Sequence, residues 1–171
     1  MRRVTLAFCT VLVLASVSAW VVFADSPHFV RTSASVTNAG QLVVSWKEAG
    51  LGGGQTISYV AGANQAQAIY ACINNGGKHP SAANKESING PITASGDLTA
   101  AKNGSINGSL TSGPLPSNLD CPNGQTFVLA SVSYADIFVT DTNNAVTASV
   151  PGSFKVCLLS GELASDPTLC P

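Results

Sequence analysis

The chain has 171 residues and a formal net charge of -1 at pH 7, with charged side chains making up 10% of it, against roughly 25% in an average soluble domain. That length accommodates one domain with a substantial core, and the near-zero charge argues against a nucleic-acid binder, which needs clustered Lys and Arg to neutralise phosphates. So few Glu and Lys also argue against a long solvated helix or coiled coil.

Arg2 and Arg3 precede an apolar run from Val4 to Val17, so residues 1–24 read as a signal peptide. Two cleavage points present themselves, Val17-Ser18-Ala19 and Val22-Phe23-Ala24. The second is favoured, because Asp25-Ser26-Pro27 is the first polar, turn-forming stretch. The competing reading is an uncleaved anchor, since Val4 to Ala24 is about the 20 residues that span a bilayer. Cys9 follows the bulky Phe8 inside the run, which argues against a lipid-attachment site. Beyond residue 24 the chain keeps six basic and nine acidic side chains and has no second hydrophobic span. Residues 25–171 are therefore expected as one secreted, extracellular domain with no membrane partner after cleavage.

Period-two alternation dominates this domain and points to strands. Strands are predicted at 29–36, at 42–47 (Leu42, Val44 and Trp46 facing inward), at 57–60 and at 68–73. The last of these puts Ala68, Tyr70 and Cys72 on one face. Further strands are expected at 92–98 and 104–110, then a loop over 111–124 with Pro114, Pro116 and Pro122. A strand at 126–134 groups Phe127 with Leu129 and Val128 with Ala130 and Val132. Strands at 137–140 and 146–150 flank Asp141-Thr142-Asn143-Asn144, a turn-rich tetrapeptide suited to a hairpin, and 154–159 ends the sheet. Asn-Gly pairs at Asn75, Asn89, Asn103, Asn107 and Asn123 suit tight turns. Eight or nine short strands with such punctuation predict an antiparallel β-sandwich, immunoglobulin-like by architecture. The order Trp46, Cys72, Cys121 departs from the immunoglobulin Cys, Trp, Cys order.

Four cysteines remain after the leader, and an even count in an exported chain implies two disulfides with three possible connectivities. Cys157 and Cys170 enclose a short terminal loop and are paired locally, leaving Cys72 with Cys121 across about 50 residues, worth roughly 3–4 kcal/mol in the chain-entropy model. A zinc site fails on spacing, because no CxxC occurs and His28 and His79 lie far from any cysteine pair.

The segment from Asn74 to Glu86 concentrates charge in a charge-poor chain, and Lys78, His79, Asn84, Lys85 and Glu86 are its candidate binding residues. Its plainer reading is a solvated crossover loop with one helical turn over 81–85. The acids Glu48, Glu86, Asp97, Asp120, Asp136 and Asp141 show no spacing that indicates a convergent acid–base pair. A serine triad lacks a well-placed base, and no G-x-S-x-G occurs. The expectation is therefore a non-enzyme with no catalytic residue, metal or cofactor. Asp141 to Asn144 lacks the EF-hand pattern for calcium. Asn103-Gly-Ser and Asn107-Gly-Ser are glycosylation sequons if the source glycosylates exported proteins, and turns otherwise.

The stretches Ala71 to Pro80, Ala82 to Glu86 and Gly124 to Tyr134 resemble those of uncharacterised small secreted single-domain bacterial proteins. The resemblance covers most of residues 28–154 and implies a stand-alone secreted domain. It carries no activity, cofactor or ligand. The expected role is an extracellular or envelope-associated binding module whose partner is a cell-envelope polymer, a glycan or an extracellular protein. The alternatives are a self-associating coat protein built on strand edges and a hydrolase whose site the sequence does not reveal.

Overall fold

The computed structural model describes residues 26–74 and 84–171, so the expected leader lies outside the described residues. Within them the chain forms β1 (His28–Val36), β2 (Leu42–Ala49), β3 (Thr56–Asn74), β4 (Lys85–Thr99), β5 (Ile106–Ser112), β6 (Gln125–Asp141), β7 (Val146–Val150) and β8 (Phe154–Cys157). A short 3-10 turn follows at Gly161–Ser165. Every strand pairing is antiparallel. One sheet has the order β1-β2-β5, and the other runs β4-β3-β6-β7 with β8 also paired to β6. The fold is all-β and sandwich-like.

The inward phase of β2 is the expected one: Leu42, Val44 and Trp46 are buried and meet Ile57, Tyr59, Ala61 and Ala63 of β3 and Ile137 and Val139 of β6. The Trp46 and Tyr59 rings lie 4.8 Å apart. β5 passes this indole at Gly108, where a Cβ would stand 2.6 Å from Cζ2 of Trp46. In the turn between β1 and β2, Gly40 has φ +77 and a Cβ there would meet Cδ2 of Leu129 at 2.8 Å. Its carbonyl accepts the Tyr134 hydroxyl at 2.5 Å, and burial pushes that phenol up to about 12.

Two pairs of expected strands are in fact single long strands. Residues 57–60 and 68–73 both belong to β3, and 126–134 and 137–140 both belong to β6. The gaps between those expected strands hold irregularities within continuous strands. On β3, Ala63 pairs with Ile92 and Ala66 with Gly90, leaving Asn64 and Gln65 opposite Pro91, which has no N–H to offer a ladder. On β6, Asp136 takes φ 52 and accepts the Asn64 amide at 2.8 Å. The core-facing phase consequently shifts from Ala61 and Ala63 to Ala66, Ala68 and Tyr70, and from Val139 and Ile137 to Tyr134 and Val132.

A further bulge corrects the expected facing of 126–134. Tyr70 pairs with Leu129 but Ile69 pairs with Ser131, which leaves Ala130 as the extra residue. Val132 therefore joins Leu129 in the main core, while Val128 and Ala130 face the other side of the sheet. There, with Ile69 and Ala71, they are covered by the C-terminal segment through Leu159, Leu163 and the fully buried Leu169.

Both disulfides form with the expected partners, Cys72–Cys121 and Cys157–Cys170. The second fastens the C-terminal segment to β8. The first ties β3 to the proline-bearing loop, which begins after Ser112 because Thr111 and Ser112 extend β5. Leu115 and Leu119 of that loop pack on the core, and the Leu115 carbonyl accepts the Tyr70 hydroxyl at 2.7 Å. The expected hairpin forms at Asp141, paired with Val146.

Candidate functional site

Of the five loop residues singled out in the sequence, Lys78 and His79 lie outside the described residues. The other three are engaged within the protein. The Asn84 amide donates to Gln125 Oε1 at 2.9 Å. Lys85 donates to Thr168 Oγ1 and lies 3.7 Å from Asp166 Oδ2, so it ties the start of β4 to the C-terminal segment. Glu86 accepts the Ser117 hydroxyl from the proline-bearing loop. Lys85 opens β4, its backbone taken into the ladder with Ala71; residues 81–83 of the helical turn expected over 81–85 lie outside the described residues.

The structure brings two acids together that sequence spacing left apart. Glu48 and Asp141 are fully buried at one end of the core. Tyr59 donates to Glu48 Oε2 at 2.6 Å, while Glu48 Oε1 has no partner among the described residues. Burial raises the Glu48 pKa above its ordinary range. The Tyr59 hydrogen bond opposes that shift, and the neighbouring Asp141 charge adds to it. Asp141 instead accepts the backbone N–H groups of Asn143 and Asn144, each at 2.9 Å, and the Asn144 side-chain amide at 2.6 Å. These donors fix the hairpin. Neither carboxyl is open to a substrate, so the pair is part of the packing rather than an acid–base couple.

The accessible chemistry lies on the outer face of the larger sheet. Asn89, Gln67, Ser133 and Lys155 occupy directly paired positions on β4, β3, β6 and β8, forming one polar row across four strands. They line a groove of about 700 Å³ with Asn64, Gln65, Ala135, Ser153 and Phe154. A smaller hollow of about 140 Å³ continues it over Ser131 toward the Cys157–Cys170 bridge and Pro171. One end of the groove is shaped by the β3 and β6 irregularities, the other by the folded-back C-terminal segment. Gln67 makes one weak bond, its amide donating to Ser87 at 3.2 Å. Among the described residues, the side chains of Gln65, Asn89, Ser133, Ser153 and Lys155 make no hydrogen bond or ion pair within the protein. A surface of free amides and hydroxyls with one amine suits a polar ligand of little charge.

Sequence reasoning missed this row because its members are 22 to 88 positions apart and meet only through strand order. Part of the signal was present: Ser131 and Ser133 alternate with apolar residues in β6, and Gln65 and Gln67 do so in β3. No protein-family model matches the chain, and no curated protein matches it. The functional reading therefore rests on the site's geometry.

Proposed function

We propose that the protein is a secreted binding module that holds a neutral, hydroxyl-rich ligand, a glycan or an envelope-polymer segment, along the outer groove of the larger sheet. The observation that carries this reading is the uncommitted row Asn89, Gln67, Ser133 and Lys155, set in a groove of a size typical of ligand sites. Amides and hydroxyls both donate and accept, which matches the dual character of sugar hydroxyls. Lys78 and His79 remain proposed contacts from the 74–86 segment, whereas Asn84, Lys85 and Glu86 serve the reading better as supports of the fold.

Secretion with removal of residues 1–24 belongs to the same proposal. Two disulfides accord with an oxidising compartment, and no helix among the described residues is long and apolar enough to cross a membrane. We also propose the immunoglobulin-like description for the architecture alone. The Cys72–Cys121 bridge joins a strand to a loop, unlike the inter-sheet bridge of antibody domains. The edges favour binding over self-assembly: a bulge interrupts β1 at Val30, and the proline-bearing loop lies along β4 through Leu115 and Ser117. Both devices discourage edge pairing.

A thermal-shift screen of the exported protein against soluble glycans and cell-wall fragments tests the reading. A ligand present at about 100 times its dissociation constant adds roughly 2.7 kcal/mol of stability. The expected result is a shift lost in Gln67→Ala and Asn89→Ala and kept in Lys85→Ala. A shift that survives both groove substitutions but disappears in His79→Ala would move the site to the 74–86 segment. No shift with any member of the screen would sink the glycan reading, and concentration-dependent sedimentation would then decide for assembly.

A further inference from the structure

The other sheet carries a second, unrelated polar surface. On the outer face of β1-β2-β5, Arg31 pairs with Lys47 and Lys47 with Asn107, so two cations stand side by side at the head of a polar row. The next row is Ser33, Ser45 and Ser109. Arg31, Ser33, Asn107 and Ser109 are exposed, and Lys47 and Ser45 are half-buried. A shallow depression of about 380 Å³ runs over Arg31, Ser33, Ser45 and Asn107.

Like charges directly opposite on neighbouring strands repel. Beyond residue 24 the chain has a single arginine and five lysines, yet the arginine sits against one of them. Neither Arg31 nor Lys47 makes an ion pair among the described residues. The only acid on the three strands, Glu48, is turned into the core.

The backbone is arranged to create this contact. Phe29 pairs with the buried Glu48 and packs on the core, so in a regular strand Arg31 would share that inward face. The β1 bulge inserts Val30 between them: Phe29 pairs with Glu48, but Arg31 pairs with Lys47. The extra residue turns Arg31 outward beside the lysine, the kind of re-aiming for which bulges recur near functional sites.

We infer that this face binds a phosphodiester-bearing polymer, with a phosphate between Arg31 and Lys47 and the polymer's hydroxyls on Asn107 and the serine row. The guanidinium fork and the adjacent ammonium present donors to two separate anionic oxygens, as a phosphodiester offers. One fork can take either a carboxylate or a phosphodiester in bidentate fashion. The choice therefore rests on the neighbouring ammonium together with the hydroxyl and amide row, which suit a polymer whose hydroxyls flank its phosphates. This site is independent of the groove, which lies on the outer face of the other sheet.

Binding of the exported protein to immobilised poly(glycerol phosphate) tests the inference, with dextran sulfate and polyglutamate at equal charge as comparisons. Arg31→Ser and Lys47→Ser are each expected to weaken poly(glycerol phosphate) binding by about tenfold or more, and binding should fall as salt is added. Lys102→Ser, which removes an exposed cation from a turn elsewhere, should bind as the unaltered protein does. Ser33→Asp places a carboxylate beside Arg31 without removing either cation, and should cause a comparable loss. Unchanged binding in Arg31→Ser, Lys47→Ser and Ser33→Asp would overturn the site. Equal or tighter binding of dextran sulfate or polyglutamate would overturn the phosphodiester assignment. Gln67→Ala should leave this binding intact, so the two readings succeed or fail separately.

Discussion

Glu48→Gln is expected to make the protein more stable at neutral and alkaline pH. Glu48 is fully buried, with Tyr59 donating to one oxygen and nothing bonded to the other among the described residues. The neighbouring acid, Asp141, takes three donors from the hairpin, whereas Glu48 has one. Burial is the main cause raising the Glu48 pKa above 4.5, and the Asp141 charge acts in the same direction. The Tyr59 hydrogen bond and the charge of His28 oppose it without prevailing.

The sign follows by linkage. Below pH 4.5 the folded and unfolded chains both hold the Glu48 proton, and its contribution to stability is greatest. Above that, the unfolded chain releases the proton first, so stability falls until the folded-state value is passed and then stays low. Glutamine keeps the shape, accepts from Tyr59 and stays neutral at every pH, and its amide is free to donate. Relieving an unpaired buried polar group is worth about 1–3 kcal/mol, roughly 2–12 °C in melting temperature for a domain of this size. Urea unfolding at pH 8 and pH 4 measures the difference directly. The advantage of Glu48→Gln should be largest at pH 8 and nearly gone at pH 4. A variant less stable than the parent at pH 8 would refute the reasoning and make Glu48 a well-satisfied anion.

Three further outcomes follow from packing. Leu169→Ala empties a fully buried position over Ile69, Ala71 and Ala130 and should cost about 2–5 kcal/mol in urea unfolding; a negligible loss would mean the C-terminal segment adds nothing to the fold. Replacing Cys157 and Cys170 with serine opens a loop of 13 residues and should cost about 3 kcal/mol, with hydrogen exchange rising first at the backbone N–H of Leu169 and Cys170. Gly108→Ala brings a methyl into the Trp46 indole and should destabilise by about 1–3 kcal/mol; an unchanged melting temperature together with unchanged tryptophan fluorescence would show that the indole has room to move.

What the sequence conveyed and what it withheld divide along a physical line. Local chemistry was legible: the alternation of Leu42, Val44 and Trp46, the Asp141 hairpin and the two disulfides need only neighbouring residues or a count of cysteines. Burial of Glu48 was also implied, because it continues the phase of Trp46 at period two. A charged residue invites an outward reading, and only the third dimension supplies Tyr59 to receive it. The bulges were hidden for the same reason. Residues 61–67 and 135–136 fall between the expected strands, yet the partner strands run past and keep them in the sheet. Strand order lay outside local chemistry altogether, and with it both polar rows.

Those irregularities connect the fold to the two proposed binding surfaces. A regular strand of this length would hold one side chain phase from end to end and cover one layer. Shifting phase in β3 and β6 lets the same two strands line the main core along their length while a second apolar cluster forms on the outer face. That cluster, beneath Leu169, holds the C-terminal segment down and so gives the polar row a wall at one end. On the smaller sheet a single inserted residue, Val30, separates an inward Phe29 from an outward Arg31. In both sheets the departure from regular pairing sets which residues reach solvent together. Changes that restored regular pairing at Val30 or at Asn64-Gln65 would turn Arg31 or Gln67 toward the core, so they should lower stability in urea unfolding as well as remove the proposed binding.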